Sequence, residues 1–290
     1  MPKNISVDFS VESSTQKGIS ALNEDALVLN ANKQVYGVID GVSSIEMFLD
    51  HDQRTGGYIA AQLVASHLHV QSKDINIREA VLAANVELRQ RMEAEGIDVT
   101  CSWKLWSAVF AVVQIHPTYM EYVQCGDCML FVQYNDQSIR VLTRNQVEAF
   151  DTRILNKKQE LIELGHSKED IQLQLFPLTE SNRNKANTLE GYSVMNGDPA
   201  FADFLEYGRI SRANVSKVYA VTDGLFHHIE ASDDPQKWDK FIMEINKKGL
   251  EHYMDHLTCI EEQDPFCIHF PRHKKSDDKS AVIMEFQSGV

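Results

Sequence analysis

Two segments of the sequence share one pattern, in which an apolar strand-like run ends at an aspartate followed by a glycine. Residues 35–41 read VYGVIDG and residues 218–224 read VYAVTDG. One interpretation of each Asp-Gly is a hairpin turn, for which this dipeptide is favoured. A hairpin requires a second alternating strand, and the residues that follow lack that pattern in both cases. Each Asp-Gly is therefore open between a plain turn and a site that places Asp40 or Asp223 at the end of a buried strand.

Two acidic pairs also lie beside strand-like segments. Glu24-Asp25 comes directly before residues 26–29, and Asp277-Asp278 comes just before the last apolar run of the chain. Adjacent carboxylates repel each other, by about 4 kcal/mol at 4 Å and an effective dielectric constant of 20. Taken singly, each pair could be a solvated loop. If these strand ends meet at one edge of a fold, divalent cations with oxygen ligands, Mg²⁺ or Mn²⁺, are needed to neutralise them.

The rest of the pattern predicts a mixture of antiparallel strands and helices. Residues 55–70 and 76–92 are helix-like, and the second of these begins with a capping pair. Between residues 105 and 142, four strand-like runs joined by turn residues predict one antiparallel meander. A strong strand at 217–222, a largely helical segment at 235–256 and a closing strand complete the chain.

Residues 144–216 form an excursion whose structure is poorly predicted by the pattern. Within it, residues 146–164 and 168–175 are helix-like and residues 181–187 are loop-like. The low apolar content of residues 181–187 is typical of a loop, and residues 144–216 as a whole are interpreted as an excursion from the core and not as a separate domain.

Composition excludes several classes of function. The chain has 42 acidic and 28 basic residues and a formal net charge of −14, which argues against nucleic-acid binding and against docking on anionic lipid. No apolar run is long enough to span a bilayer, and the N-terminal residues have no apolar core of the signal-peptide kind. Together with a sparse, odd set of five cysteines, this indicates a cytoplasmic protein.

Cys125 and Cys128 form a CxxC and raise the alternative of a zinc or redox protein. A structural zinc site needs a second pair of ligands at suitable spacing, and Cys259 and Cys267 match that requirement poorly. A redox CxxC should open a helix, whereas strand-like sequence lies on both sides of this one. Two small residues in a strand-turn-strand are the favoured interpretation.

The ordered motifs resemble the signature series of the protein phosphatase 2C class, the PPM family, in its bacterial form. The motifs are NED (23–25), VIDG (38–41), CGD (125–127), VTDG (221–224) and DDKS (277–280), and residues 191–197 (GYSVMNG) are also similar to bacterial members. The resemblance implies an α+β fold, a four-layer α-β-β-α sandwich of two antiparallel sheets flanked by helices. It implies a single phosphatase domain over residues 1–290, with the excursion at about 144–216 near the site. The implied activity is hydrolysis of phosphoserine and phosphothreonine in proteins.

The resemblance also implies a set of site residues. Asp40 and Asp223 would be the catalytic aspartates, Asp40 would be shared by two divalent cations, Mg²⁺ or Mn²⁺, and the Gly41 carbonyl would contact one of them. A water held between the cations would attack phosphorus in line, without a covalent phosphoenzyme. Asp223 and Asp277 would hold the other cation, with Glu24 and Asp25 in or beside the coordination shell, and Asp127 would be a further metal ligand.

Two departures from the family pattern bear on this assignment. The arginine that usually clamps the substrate phosphate is replaced by Ser20, and Lys17 is the nearby cation that could bind phosphate instead, as a point charge. Asp127 commonly shares a third metal with an acid at the position that is His227 here, so a third site is doubtful or has an altered metal preference.

Two alternatives within the family stay open at this point. A catalytically weak or inactive member would act as a phosphoprotein-binding regulatory module, a reading motivated by the missing arginine. A second alternative keeps the chemistry and changes the substrate to a small phosphorylated metabolite.

Overall fold

The structure, a computed structural model, describes residues 8–42, 45–69, 76–226 and 234–287. In these residues the strands are β1 (Phe9–Gln16), β2 (Ala26–Asn30), β3 (Val35–Val42), β4 (Ser107–Ile115), β5 (Tyr119–Cys125), β6 (Met129–Tyr134), β7 (Ile139–Val141), β8 (Glu206–Ser211), β9 (Val215–Val221) and β10 (Lys279–Phe286). The helices are α1 (Gly56–His69), α2 (Ile77–Ala94), α3 (Glu148–Glu163), α4 (Lys168–Arg183), α5 (Phe201–Phe204), α6 (Lys237–Lys248) and α7 (Leu250–Gln263). Within the described ranges, no helix has both the length and the apolar character that a membrane span requires.

The strands form two five-stranded antiparallel sheets that pack face to face. One sheet has the order β1-β10-β9-β6-β7 and the other the order β2-β3-β4-β5-β8. Helices α1 and α2 cover the outer face of the second sheet, and α6 and α7 cover the outer face of the first. The predicted α+β fold, with four layers and two antiparallel sheets between helices, is confirmed.

Alternation along single strands explains why the sheets are covered on both faces. In β9, Val218 and Ala220 belong to the core between the sheets, whereas Tyr219 and Val221 belong to the core under α6 and α7. Successive side chains of a strand point to opposite faces, so a strand that is apolar at every position has to be buried on both sides. The same reasoning applies to β4, which is buried along nearly its whole length.

The prediction of one meander between residues 105 and 142 is wrong in one respect. β4 pairs with β5 and β6 pairs with β7, but these two hairpins lie in different sheets, since β6 pairs on its other side with β9. The chain crosses between the sheets at Gly126-Asp127. The buried Gln124 side chain holds this crossover, and its amide lies 2.9 Å from the Gly126 carbonyl oxygen and 3.2 Å from that of Cys128. A turn and a crossover have similar local sequences, so the pattern could not separate them.

The predictions of α1 and α2 agree with the structure within a few residues, whereas the last predicted helical segment ends seven residues before α7 does. Asn76 caps α2 and its side chain accepts a hydrogen bond from the Glu79 backbone N–H at 2.9 Å, as the capping pair predicted. The segment predicted as largely helical at 235–256 is two helices, because Gly249, with φ of 80°, separates α6 from α7.

The second helix of the excursion is longer than the sequence pattern indicated, whereas the first, α3, lies within the predicted range 146–164. α4 extends to Arg183 and includes Pro177 in its interior, so residues 181–183 of the predicted loop at 181–187 are helical. Proline removes one helical hydrogen bond but fixes a helical φ, and packing of α4 against α3 offsets that loss.

Candidate active site

Five aspartates meet at one end of the sandwich because antiparallel strands bring chain starts and chain ends to the same edge. Asp40 lies near the end of β3 and Asp223 lies two residues after β9, whereas Asp25, Asp127 and Asp277 lie just before β2, β6 and β10. β9 pairs with both β6 and β10, and β3 pairs with β2. The two sheets therefore contribute carboxylates to one shared edge.

The glycine after Asp40 is required by a close approach of three chain segments. A Cβ at Gly41 would lie 2.4 Å from the Gly57 carbonyl oxygen, at the start of α1, and 2.8 Å from that of Glu24. The Gly41 N–H donates to the same Glu24 oxygen at 3.1 Å. Gly41 does not have positive φ, so a two-residue hairpin turn is not what this Asp-Gly encodes.

The second Asp-Gly has the same explanation. A Cβ at Gly224 would lie 1.9 Å from the Asp278 carbonyl oxygen. This distance is too short for any side chain, so only glycine fits at this position. Asp223 and Gly224 begin a single 3-10 turn, Asp223–Leu225, that lies directly against the loop before β10. Both glycines therefore bring carboxylates together by letting backbones touch.

Asp278 organises the loop that carries Glu24. Its two carboxylate oxygens accept the backbone N–H groups of Gly18 and Glu24, each at 2.7 Å. Glu24 is buried, and its carboxylate accepts a hydrogen bond from the Thr55 hydroxyl at the entrance to α1. The acidic pair 277–278 thus has two roles, since Asp277 faces the cavity described below and Asp278 positions a neighbouring loop. Sequence reasoning identified the pair but not this division.

Burial and mutual repulsion raise the pKa values of the clustered carboxyls. The pKa of Asp40 is raised well above its ordinary value, first by burial and then by the charges of Asp25, Asp223, Asp277 and Asp127. Burial followed by the charge of Asp277 raises the pKa of Asp223 to about 6, and the carboxyl of Asp40 lies within hydrogen-bonding reach of it. Such a cluster is unfavourable at neutral pH unless positive charge compensates it.

Unpaired oxygens in the cluster fit a group that ligates through oxygen. Among the described residues, Asp25 Oδ1, Asp127 Oδ1 and Asp223 Oδ1 are buried without a hydrogen-bond partner. The other oxygen of Asp25 accepts the Thr222 hydroxyl at 3.0 Å, which fixes the orientation of this carboxylate. Buried polar atoms normally have partners, and an all-carboxylate donor set suits hard cations such as Mg²⁺ or Mn²⁺.

A cavity of about 400 Å³ opens beside the cluster. One wall is the carboxylate edge, with Asp40, Asp127, Asp223 and Asp277. The opposite wall comes from the excursion. Its lining side chains include Val147, Phe150, Asp151, Ile154, Thr179, Asn182, Arg183 and Tyr192.

The third part of the cavity wall is the loop before β10, which joins the other two walls. His273 Nε2 lies 3.2 Å from Asp151 Oδ1 on α3, and Lys274 Nζ lies 2.6 Å from Asp277 Oδ1. Burial lowers the pKa of Lys274, but the charges of Asp277, Asp40 and Asp223 raise it by more, so the ammonium is retained. The basic residues directly before the acidic pair were the sequence signal for this loop, and sequence reasoning did not use them.

Lys17 is not brought into this cavity. Its side chain is exposed, its ammonium donates to the Ala21 carbonyl oxygen at 3.2 Å, and it is not among the lining residues. His227 and the neighbouring His228 lie outside the described residues, as do Ser43 and Ser44.

In the described residues, the one group with three possible ligand atoms at metal-site spacing lies outside the five aspartates, and its contacts argue against cation binding. Only Asp50, His51 and Asp52 bring three possible ligand atoms within 4.8 Å of one another in the described ranges. Asp50 Oδ2 is already paired with the Arg54 guanidinium at 2.7 Å and 2.8 Å. Cys125 and Cys128 are buried free thiols in the crossover between the sheets, and burial raises both pKa values, which opposes thiolate formation.

Comparisons with known proteins agree with this architecture. The Mycobacterium tuberculosis serine/threonine phosphatase PstP superposes with a TM-score of 0.59 at 14% identity over 97% of this chain and 99% of that chain. A structure of the PstP catalytic domain in complex with two manganese ions has a TM-score of 0.59 at 15% identity, over 97% of this chain and 99% of that chain. Stp1 from Staphylococcus aureus has a TM-score of 0.57 at 15% identity, over 98% of this chain and 97% of that chain. At these identities the likeness shows the fold.

No curated protein sequence is a significant match to this chain. The model of one family, described as Protein phosphatase 2C, matches residues 15–259, which is most of the chain and includes four of the five aspartates at the shared edge. The chain belongs to the protein phosphatase 2C family.

Proposed function

We propose that the chain removes phosphate from phosphoserine and phosphothreonine in proteins at the cavity beside the five aspartates, with two divalent cations, Mg²⁺ or Mn²⁺. Family membership makes it a metal-dependent serine/threonine protein phosphatase. The observation that most supports this location is the set of buried, partnerless carboxylate oxygens on Asp25, Asp127 and Asp223, because only a ligand at this edge satisfies all three.

In this proposal Asp40, Asp223 and Asp277 hold the cations, with Asp25 and the Gly41 carbonyl beside them. When bound, the cations supply the positive charge that activates water and stabilises the phosphoryl oxygens. The chain keeps its carboxylates in place through neighbours that are themselves fixed: Thr222 orients Asp25. Asp127 belongs to the same cluster and is proposed as an outer ligand.

Substrate selection is proposed to depend on the excursion. Phe150 and Tyr192 stack edge to face with ring centroids 5.3 Å apart, and both line the cavity opposite the carboxylates. A wall of this kind excludes water and contacts the residues that flank a phosphorylated side chain. We place residues 144–216 in the same domain as the rest of the chain for this reason.

The partners and setting proposed for the chain follow from charge and thiol chemistry. The net charge of −14 opposes binding to nucleic acid or to anionic membranes. All five cysteines are free thiols in the structure, which supports a reducing, cytoplasmic setting.

The proposed function is tested by hydrolysis of an aryl phosphate and of a phosphothreonine peptide with and without Mn²⁺ or Mg²⁺. We expect turnover that depends on added cation and stops with chelator. Asp40→Ala should lower kcat/KM at least about 1,000-fold, the scale of losing a main electrostatic element of a site, while circular dichroism shows a folded chain. Asp203→Ala, at an exposed position on α5 away from the cavity, is the matched control and should keep parent activity.

Turnover by Asp40→Ala at the parent rate would contradict the metal assignment. Efficient turnover of small phosphorylated metabolites with none of the peptide would contradict the phosphoprotein substrate.

A further inference from the structure

A phosphate monoester that enters this cavity meets a strong excess of negative charge. Asp40 interacts with four other aspartates, Asp25, Asp127, Asp223 and Asp277. Two divalent cations leave such a cluster of five carboxylates with residual negative charge, and the incoming phosphate is itself close to a dianion. Binding is therefore favoured by a further cation that contacts the phosphoryl group.

Three described residues with basic side chains line the cavity: Arg183, His273 and Lys274. The Arg183 guanidinium is hydrogen-bonded to the Tyr192 hydroxyl, on the excursion wall. His273 is paired with Asp151 on the same wall. Lys274 lies on the carboxylate side, where the phosphorus would be attacked.

The contacts of Asp277 show how Lys274 and a bound cation can coexist. Lys274 Nζ is 2.6 Å from Asp277 Oδ1, and the same oxygen accepts the Asp278 backbone N–H at 2.8 Å. Asp277 Oδ2 is thus left for a cation. An ammonium has three donors, and Asp277 engages one of them, so the group is held in place and still has donors for phosphoryl oxygens.

The loop that carries Lys274 is fixed on both sides. Arg272 is buried and donates to Asp264 Oδ2 at 2.8 Å and to the Lys275 carbonyl oxygen at 2.9 Å. From α3, Lys158 Nζ donates to the Arg272 and His273 carbonyl oxygens at 3.0 Å and 3.2 Å. Little conformational entropy remains to be lost when Lys274 contacts a ligand.

From these observations we propose that Lys274 is the substrate-phosphate cation of this enzyme. The inference rests on the proposed function and adds to it a residue that binds the phosphoryl group. It also replaces Lys17 in that role, because the Lys17 ammonium is exposed and donates to the Ala21 carbonyl oxygen.

The test measures binding of inorganic phosphate to Mg²⁺-loaded protein by isothermal titration calorimetry, which does not depend on turnover. Lys274→Ala and Lys274→Gln should weaken phosphate binding by about tenfold, equivalent to 1.4 kcal/mol. Lys274→Arg should recover most of the affinity because it restores the charge. Lys275→Ala, which removes a neighbouring lysine whose carbonyl oxygen but not side chain anchors the loop, is the matched control and should bind as the parent does.

Two further measurements separate phosphate binding from a merely structural role. The Mg²⁺ affinity of Lys274→Gln should match that of the parent, and its KM for the aryl phosphate should rise more than its kcat falls. Lys17→Ala tests the competing assignment, in which Lys17 binds the phosphate, and its phosphate affinity should match that of the parent.

Unchanged phosphate affinity in both Lys274→Ala and Lys274→Gln, or a loss in Lys17→Ala instead, would overturn the inference and leave the proposed function intact. A parent protein that binds Mg²⁺ but neither binds phosphate nor hydrolyses the aryl phosphate would overturn both.

Discussion

At the scale of single residues, the site is built from carboxyls whose ionisation opposes folding. The pKa of Asp25, Asp40 and Asp127 lies well above the ordinary value, with burial as the first cause in each case. The pKa of Asp223 is raised from 3.8 to about 6 by burial and by the charge of Asp277. A site of this kind trades stability of the cation-free protein for affinity toward cations.

This trade gives a prediction for pH dependence. A carboxyl whose pKa is higher in the folded than in the unfolded chain binds more protons when folded, so its contribution to stability falls as pH rises. For Asp223 the loss should occur between about pH 4 and pH 6 and stay complete above that window. Urea unfolding in the presence of chelator should show a decline in unfolding free energy across this range.

The variant Asp223→Asn isolates the contribution, since it cannot ionise and keeps the shape of the side chain. The unfolding free energy of this variant should fall less steeply with pH than that of the parent. At pH 7 its cation-free form should be more stable than the cation-free parent. Identical slopes in the two proteins would mean that Asp223 does not carry the effect.

At the scale of elements, the loop between α7 and β10 determines where Asp277 lies. Lys279 and Glu261 form a 2.8 Å ion pair, and each side chain is 1% exposed. Lys279 also donates to the Asp277 carbonyl oxygen at 3.0 Å and to the Ser276 hydroxyl at 2.9 Å. The buried Lys279 ammonium at the start of β10 thereby connects α7 to the loop that carries Asp277.

Lys279→Met should destabilise the protein strongly, because it leaves the Glu261 carboxylate buried without its cation. The expected loss of unfolding free energy is about 3–5 kcal/mol, measured by urea unfolding. The matched control is Lys157→Met, which breaks the exposed Lys157–Glu160 pair on α3 and should cost under about 1 kcal/mol.

The double variant Lys279→Met, Glu261→Leu should recover much of that stability, since no unpaired charge remains in the core. The kcat of the single and the double variant should be lower than that of the parent, because the Asp277 carbonyl oxygen loses the Lys279 donor in both. If Lys279→Met is as stable as Lys157→Met, the buried pair does not hold this loop.

At the scale of the whole molecule, two sheets from distant parts of the chain have to pack before the site exists. The aspartates at the shared edge come from both sheets, and the chain crosses between the sheets at Gly126-Asp127. Cations that bind at this edge therefore bind the folded chain and not the unfolded one, which couples their affinity to global stability.

Mn²⁺ or Mg²⁺ should accordingly raise the midpoint of thermal unfolding. At about 100 times the dissociation constant, one site contributes about 2.7 kcal/mol. Calorimetry should show this shift in the parent and little of it in Asp40→Asn. Sodium chloride at matched ionic strength is the control, because it screens the net charge of −14 without binding at the site. An equal shift with sodium chloride would contradict a specific cation site.

The sequence by itself determined which strands are buried and which residue types end them. Short runs of apolar residues predicted β3, β4, β9 and β10 within a few residues, because the burial of a strand is visible in its local sequence. The ordered acidic motifs predicted the family, and that resemblance assigned Asp40 and Asp223 to the site, since the repeated V-Y-x-V-x-D-G pattern alone left each Asp-Gly open between a turn and a site.

The tertiary structure decided how these pieces meet. The crossover after Gln124, the approach of Gly224 to Asp278 and the position of Lys274 depend on contacts between residues far apart in the chain, which local periodicity does not encode. The same holds for the wall formed by α3 and α4, whose polar surfaces gave a weak pattern. The sequence determines the chemistry of each side chain, whereas the packing of the two sheets determines the distances between side chains. A site at the shared edge of the sheets depends on both.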